Sequence, residues 1–174
     1  MNADFKAYEV AYQKEKGACV TPQVRMVVAR KGNGRHDSLS EGMLTRDEGL
    51  VGDRWTRVDD PAAQSQITLM EAAVVVAIAG ELVATAGDNF LVDFELGEQA
   101  LPIGTRLSLG DAVVEVTPEP HHGCRKFSSR FSSQALKWVN DKRHQHRRLR
   151  GVHAKVVVDG RVKVGDPLSI IEPA

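Results

Sequence analysis

Apolar and polar positions alternate through Val152, Ala154, Val156 and Val158, with His153, Lys155 and Val157 between them. That period of two predicts a strand with one face in the core. Val162 to Val164 follows across Asp159-Gly160, and Leu107 to Leu109 precedes Ala112 to Val116 across Gly110-Asp111. Both dipeptides suit two-residue turns, so two hairpins are predicted. Val24 to Ala29 reads as a further strand, ended by the glycine-rich Arg30-Lys31-Gly32-Asn33-Gly34, and Leu168 to Ile171 as a last short one after Asp166-Pro167. The stretch from Ser38 to Pro61 is polar and turn-rich, which predicts loops with short strands. Two segments break the strand pattern. Thr68-Leu69-Met70-Glu71 has capping-box spacing, so a helix is predicted to begin there, run through Ala72 to Ala79 and stop at Gly80, against the β-branched run Val74-Val75-Val76. Ser132-Ser133 caps a second helix, with Leu136 and Val139 on one side. Short strands with regular turns and few helices predict a mainly β, α+β fold of barrel or sandwich type.

The 174-residue chain, 42% hydrophobic, suffices for one sizeable core. Lys and Arg total 23, as do Asp and Glu, so there is no bulk charge to attract nucleic acid or an anionic membrane, and any electrostatic function is local. The longest apolar run, Ala72 to Ala79, is far short of the about 20 residues of a membrane span, and Met1 to Glu9 lacks the apolar stretch of a secretory signal. Two cysteines, Cys19 and Cys124, are too few for a disulfide framework and fit a reducing compartment. A cytoplasmic protein is expected, with residues 1–20 as an N-terminal extension to one domain over 21–174, and Cys19 as a spare thiol.

His121-His122-Gly123-Cys124-Arg125-Lys126 is the segment richest in chemistry. The thiolate is the nucleophile and metal ligand, and neighbouring cations favour it, so Cys124 is expected to be partly anionic near neutral pH. The alternative, a buried cysteine acting as a small hydrophobe, fits poorly with so polar a neighbourhood. Histidines 121, 122, 144 and 146 with Cys124 offer zinc donors, at a spacing that matches no familiar finger. Lys142 to Arg150 is the most marked charge cluster, readable as an acidic-partner or phosphate site or as a solvated helix end, and without interleaved aromatics it makes a poor nucleic-acid module.

With these residues in place the sequence resembles the MOSC family, the domain named for the C-terminal part of molybdenum cofactor sulfurases, from about Pro22 to Ile171. The landmarks run in family order: Gly49-Leu50-Val51-Gly52-Asp53-Arg54, Gln66-Ile67-Thr68-Leu69-Met70, Gly87-Asp88-Asn89, Leu107-Ser108-Leu109-Gly110, and Cys124 with Lys126. Gly151-Val152-His153-Ala154 and Val164-Gly165-Asp166 close the series. The resemblance implies a β-barrel-like fold that binds the molybdenum cofactor, a pterin dithiolene carrying molybdenum. It implies Cys124 as molybdenum ligand in members that reduce N-hydroxylated compounds, or as persulfide carrier in sulfurase contexts. It places Asp53 and Asn89 near the cofactor, with Arg54, Arg125 and Lys126 available to its phosphate or pterin, and leaves His121 or His122 to shuttle protons, His122 being the catalytic candidate. Small-molecule substrate and a separate electron-donor or sulfur-donor protein are the implied partners. Pyridoxal phosphate belongs to an aminotransferase-like domain that this chain does not contain. Two departures stand out: Gly123 replaces the proline that many members place before the cysteine, which predicts a looser loop, and Gly-Asp-Asn replaces Gly-Glu-Asn.

Overall fold

The sorting of strands into two sheets follows from where their apolar faces can be buried. The computed structural model describes residues 3–18, 21–57 and 63–172. It opens with α1 (Ala3–Ala18), β1 (Val24–Arg30), β2 (His36–Leu39), β3 (Glu41–Thr45) and β4 (Gly49–Leu50). Next come β5 (Ile67–Glu71), which runs directly into α2 (Ala72–Ala79), then β6 (Phe90–Val92), β7 (Arg106–Leu109) and β8 (Ala112–Val116). The chain continues through α3 (Arg125–Arg130), α4 (Ser133–Val139), β9 (Val152–Val158), β10 (Gly160–Lys163) and β11 (Leu168–Glu172). Eight strands form one sheet in the order β11-β7-β8-β9-β5-β6-β1-β2, and β10-β3-β4 form a second. β5 and β6 are parallel; every other pairing between these strands is antiparallel.

The fold is therefore mixed α+β with a large sheet and few helices, as expected, and among the described residues the sheet does not close into a barrel. β2 and β11 end the order, and an isolated bridge between Gln23 and Pro167 links the strand ends. The main core lies between the two sheets, with Val27, Leu44, Leu50, Ile67, Phe90, Val114 and Val162 among its fully buried members. A second core on the other face of β5 and β6 takes Met70 and Leu91 and covers them with Tyr12 of α1, Val74 of α2, Phe127 of α3 and Trp138 of α4. Because both faces of β5 are covered, all five of its residues are buried and no alternation survives there.

That double burial explains the misread capping box. Thr68 lies within β5, where its hydroxyl donates to Asn89 Oδ1 at 3.3 Å. Glu71 is the N-cap of α2 but makes no side-chain cap bond, its carboxylate instead accepting from Tyr12 Oη at 2.8 Å and Leu96 N–H at 3.0 Å. The helix thus starts at Ala72 and ends, as expected, on left-handed Gly80. Ser132 caps α4 by accepting from Ala135 N–H at 2.9 Å. The Gly110-Asp111 turn joins a true hairpin, with Leu109 opposite Ala112. The Asp159-Gly160 turn does not: β9 pairs with β5 and β8, while β10 leaves for the small sheet and pairs with β3.

Residues 3–18 of the expected extension are helical and docked. Tyr8 stacks on Trp138 at 5.4 Å between ring centroids, and Arg147 grips Glu9 through two bonds of 3.0 and 3.1 Å. Cys19 lies outside the described residues. Among the described residues no helix is long and apolar enough to cross a membrane.

Candidate functional site

Cys124 stands at the N-cap of α3 in an extended conformation, φ −122° and ψ 179°. Buried Phe127 anchors the helix from below, while the thiol itself is exposed. Its pKa is held below the ordinary thiol value, first by the backbone N–H of Phe127 and against a smaller opposing effect of burial; the N–H of Lys126 and the charges of Arg150 and Arg130 add to the lowering. The residue is thus accessible and biased toward thiolate.

Directly after it, Arg125 and Lys126 line a cleft of about 400 Å³ with Lys31, His36, Arg54 and Arg130. These residues come from four stretches of chain, and two buried polar knots bring them together. Asp53 accepts from the Arg30 guanidinium, Nη2 at 2.8 Å, from the Arg30 N–H, and from Trp55 N–H at 3.1 Å. Burial alone pushes the Asp53 carboxyl up, but the Arg30 contacts outweigh it and hold the pKa low. The pair fixes two backbones whose next residues, Lys31 and Arg54, line the cleft. Asn89, fully buried, accepts from Thr68 N–H at 3.1 Å and donates to Val28 O at 3.2 Å, joining β5 to β1. Asp53 and Asn89, assigned to the cofactor by resemblance, therefore have these polar groups committed within the protein. Lys31 donates to Gly52 O at 2.5 Å, and Arg130 to Ala86 O at 3.3 Å. The side chains of Arg54, Arg125 and Lys126 form no hydrogen bond or ion pair among the described residues.

Behind the loop the charges are paired. Fully buried Asp88 accepts from Arg150 Nη1 at 2.6 Å, and the Arg150 guanidinium lies 5.0 Å from the Phe127 ring centre. His121 Nδ1 is 3.6 Å from Asp88 Oδ1, and its ring packs on that of His153 at 4.4 Å between centroids. Burial, with Arg150 next, lowers the His121 pKa well below the ordinary value, so its ring is neutral. His122 is exposed and shares with His121, Asn140, Arg148 and Arg150 the wall of a second hollow of about 500 Å³. Among the described residues no three His, Cys, Asp or Glu side chains gather into a group able to hold a metal ion.

Gly151 shows how closely this region is packed: with φ +98°, a Cβ there would fall 2.0 Å from Leu69 O. Only glycine fits, so Arg150 is delivered to Asp88 by a backbone lying against β5. Of the residues singled out from sequence, the structure brings Arg54, Arg125 and Lys126 into one cleft next to Cys124; Lys31, His36 and Arg130 of that cleft, Asn140 and the Asp88–Arg150 pair were not singled out. Asp88 and Arg150 sit in or beside family landmarks, the one local signal pointing to them.

No curated protein sequence matches the chain. Among solved structures, the fold is similar to YiiM from Escherichia coli, with a TM-score of 0.61 at 20% identity over 87% of this chain and 71% of that one. YiiM from Geobacillus stearothermophilus gives 0.58 at 17% over 87% and 75%, and YuaD from Bacillus subtilis 0.60 at 14% over 86% and 94%. The family model described as the MOSC domain matches residues 38–169. With that span covering most of the strands, Arg54 and the cysteine loop through Arg130, the chain belongs to the MOSC domain family.

Proposed function

We propose that this protein binds the molybdenum cofactor and reduces N-hydroxylated small molecules, with Cys124 as the protein's ligand to molybdenum. The observation that carries the reading is an exposed, thiolate-biased cysteine immediately ahead of two cations whose side chains have no partner among the described residues and which line a cleft with Arg54, Lys31, Arg130 and His36. The donor set fits the group. A dithiolene cofactor brings its own sulfur ligands and needs one soft donor from the protein, while the side chains of Arg54, Arg125 and Lys126, without partners among the described residues, would hold a phosphate. When bound, the molybdenum centre supplies two-electron redox chemistry. Reduction of R–NH–OH consumes two electrons and two protons, breaks the N–O bond and releases R–NH₂ and water. The electrons come from a separate redox protein. In this reading His122, exposed two residues before Cys124, exchanges protons with solvent at the reacting edge, whereas neutral His121 holds the loop against His153.

The same thiol suits a second reading, a carrier that receives terminal sulfur from a donor persulfide and passes it on. One preparation separates the two. Protein made in a host that synthesises the cofactor should carry molybdenum, and Cys124→Ala should lose it. Equal molybdenum in both removes the ligand role, and cyanide-labile sulfur on Cys124 in molybdenum-free protein establishes the carrier instead.

A further inference from the structure

We infer that Asn140 is the positioning residue for Cys124, clamping the peptide unit just ahead of it to the end of α4. The side-chain amide of Asn140 makes a two-way connection to one residue: Gly123 N–H donates to Asn140 Oδ1 at 2.8 Å, and Asn140 Nδ2 donates to Gly123 O at 2.9 Å. Asn140 is itself fixed as the C-cap of α4, its N–H donating to Leu136 O at 3.2 Å. α4 in turn is held by buried Ala135 and Trp138. The rigid core is thereby connected, through one exposed amide, to the residue adjoining the thiol.

Gly123 is matched to this clamp in two ways. A Cβ at position 123 would fall 2.6 Å from Leu136 Cδ1 and 3.2 Å from both Asn140 Oδ1 and Val139 Cγ2, so the missing side chain is what lets the loop lie against α4. The N–H used in the clamp is also one that proline does not possess. The looser loop expected from glycine at this place is therefore not what the structure shows. Two hydrogen bonds and close contact supply the rigidity, and Asn140 is the residue on which both bonds depend.

The inference rests on Cys124 being the working thiol, but its test does not require molybdenum. The probe is iodoacetamide alkylation of Cys124 in the full, metal-free chain at fixed neutral pH, read by mass spectrometry of the Cys124 peptide beside thermal unfolding. Asn140→Ala should slow alkylation about tenfold, because a swinging loop no longer holds the thiol in one place among its neighbouring cations. Asn140 is exposed, so the melting temperature should move little. Gly123→Pro supplies the discriminating arm. Alone it removes the N–H given to Asn140 Oδ1 and sets a Cβ against Leu136, and should slow alkylation; added to Asn140→Ala, where the two bonds are already gone, only the Leu136 contact is new and the further slowing should be clearly smaller. An unchanged rate in Asn140→Ala overturns the inference, and so does a Gly123→Pro effect of equal size in both backgrounds, or slowing that only follows a drop in melting temperature. None of these outcomes bears on molybdenum content, so the clamp and the ligand assignment fail separately.

Discussion

Two basic segments of this chain look alike on paper and behave oppositely in the fold. In the segment from Lys142 to Arg150, Arg143 forks onto Asp141, Arg147 takes Glu9, Arg148 donates to Leu101 O at 2.7 Å, and Arg150 takes Asp88. In the segment from Cys124 to Arg130, the side chains of Arg125 and Lys126 have no partner among the described residues, and they are joined by Arg54 from another loop. Cations that the fold consumes cannot also recruit a ligand; those left unpaired around a concave surface can. The difference is invisible locally, because Glu9 and Asp88 stand 138 and 62 residues from their arginines.

Breaking the consumed side should cost most. Arg150→Met leaves the Asp88 carboxylate buried without its cation, which is expected to destabilise the fold by about 3–5 kcal/mol in urea unfolding. Adding Asp88→Asn should recover much of that loss, since the two sites share one interaction. A loss comparable to a surface substitution would show that the pair is not sealed as the geometry has it.

The available side should respond in binding and not in stability. Arg54→Ala and Lys126→Ala are each expected to weaken inorganic pyrophosphate binding about tenfold by calorimetry, with unchanged unfolding, because a charge-assisted bond is worth about that factor. Arg143→Ala, already satisfied by Asp141, should leave pyrophosphate binding at the parent value. Equal weakening by all three would make the effect one of bulk charge and dissolve the contrast.

How much of this the sequence discloses depends on whether the signal and its partner are close in the chain. The β7–β8 turn, the Ser132 cap and the strand from Val152 are legible because turn chemistry, cap and alternation act over a few residues. The Thr68…Glu71 signature misleads because both side chains are taken by distant partners, Asn89 and Tyr12. α1 escapes notice because its outward face is charged, and the value of Tyr8 and Tyr12 is set by Trp138 and Glu71 far along the chain. The site follows the same rule. Cys124 declares itself through its neighbours, whereas Lys31, His36 and Arg130 reach the cleft from separate elements, and nothing near position 140 announces a clamp on Gly123.

Acid should sharpen the contrast from the structural side. The folded-state pKa of Asp53 lies below its ordinary value because of Arg30, so its contribution is fully present above the unfolded pKa and fades as pH falls through the folded one. Parent protein should accordingly lose stability on acidification below the ordinary carboxylate range more steeply than Asp53→Asn, measured by urea midpoints across that range. Parallel curves would mean that the Arg30–Asp53 pair does not set the two backbones carrying Lys31 and Arg54.

The smallest effect falls within the consumed segment, between its half-buried and its exposed pair. Glu9 lies on α1 and is partly buried, and burial raises its pKa while Arg147 more than reverses that, for a net lowering. Arg147 also sits 4.9 Å from the Tyr12 ring centre, so the Glu9 pair helps hold α1 across the second core. Glu9→Gln should cost about 0.2–1 kcal/mol in urea unfolding, the range of incompletely buried ion pairs, and the cost should shrink as salt is added. Arg143→Ala, whose fork onto Asp141 spans only two residues on an exposed turn, should not shift the urea midpoint at any salt concentration, because that bond ties no element to another. A larger loss for Arg143→Ala than for Glu9→Gln would reverse the ranking and show that the local turn, and not the docking of α1, is where this segment's charges act.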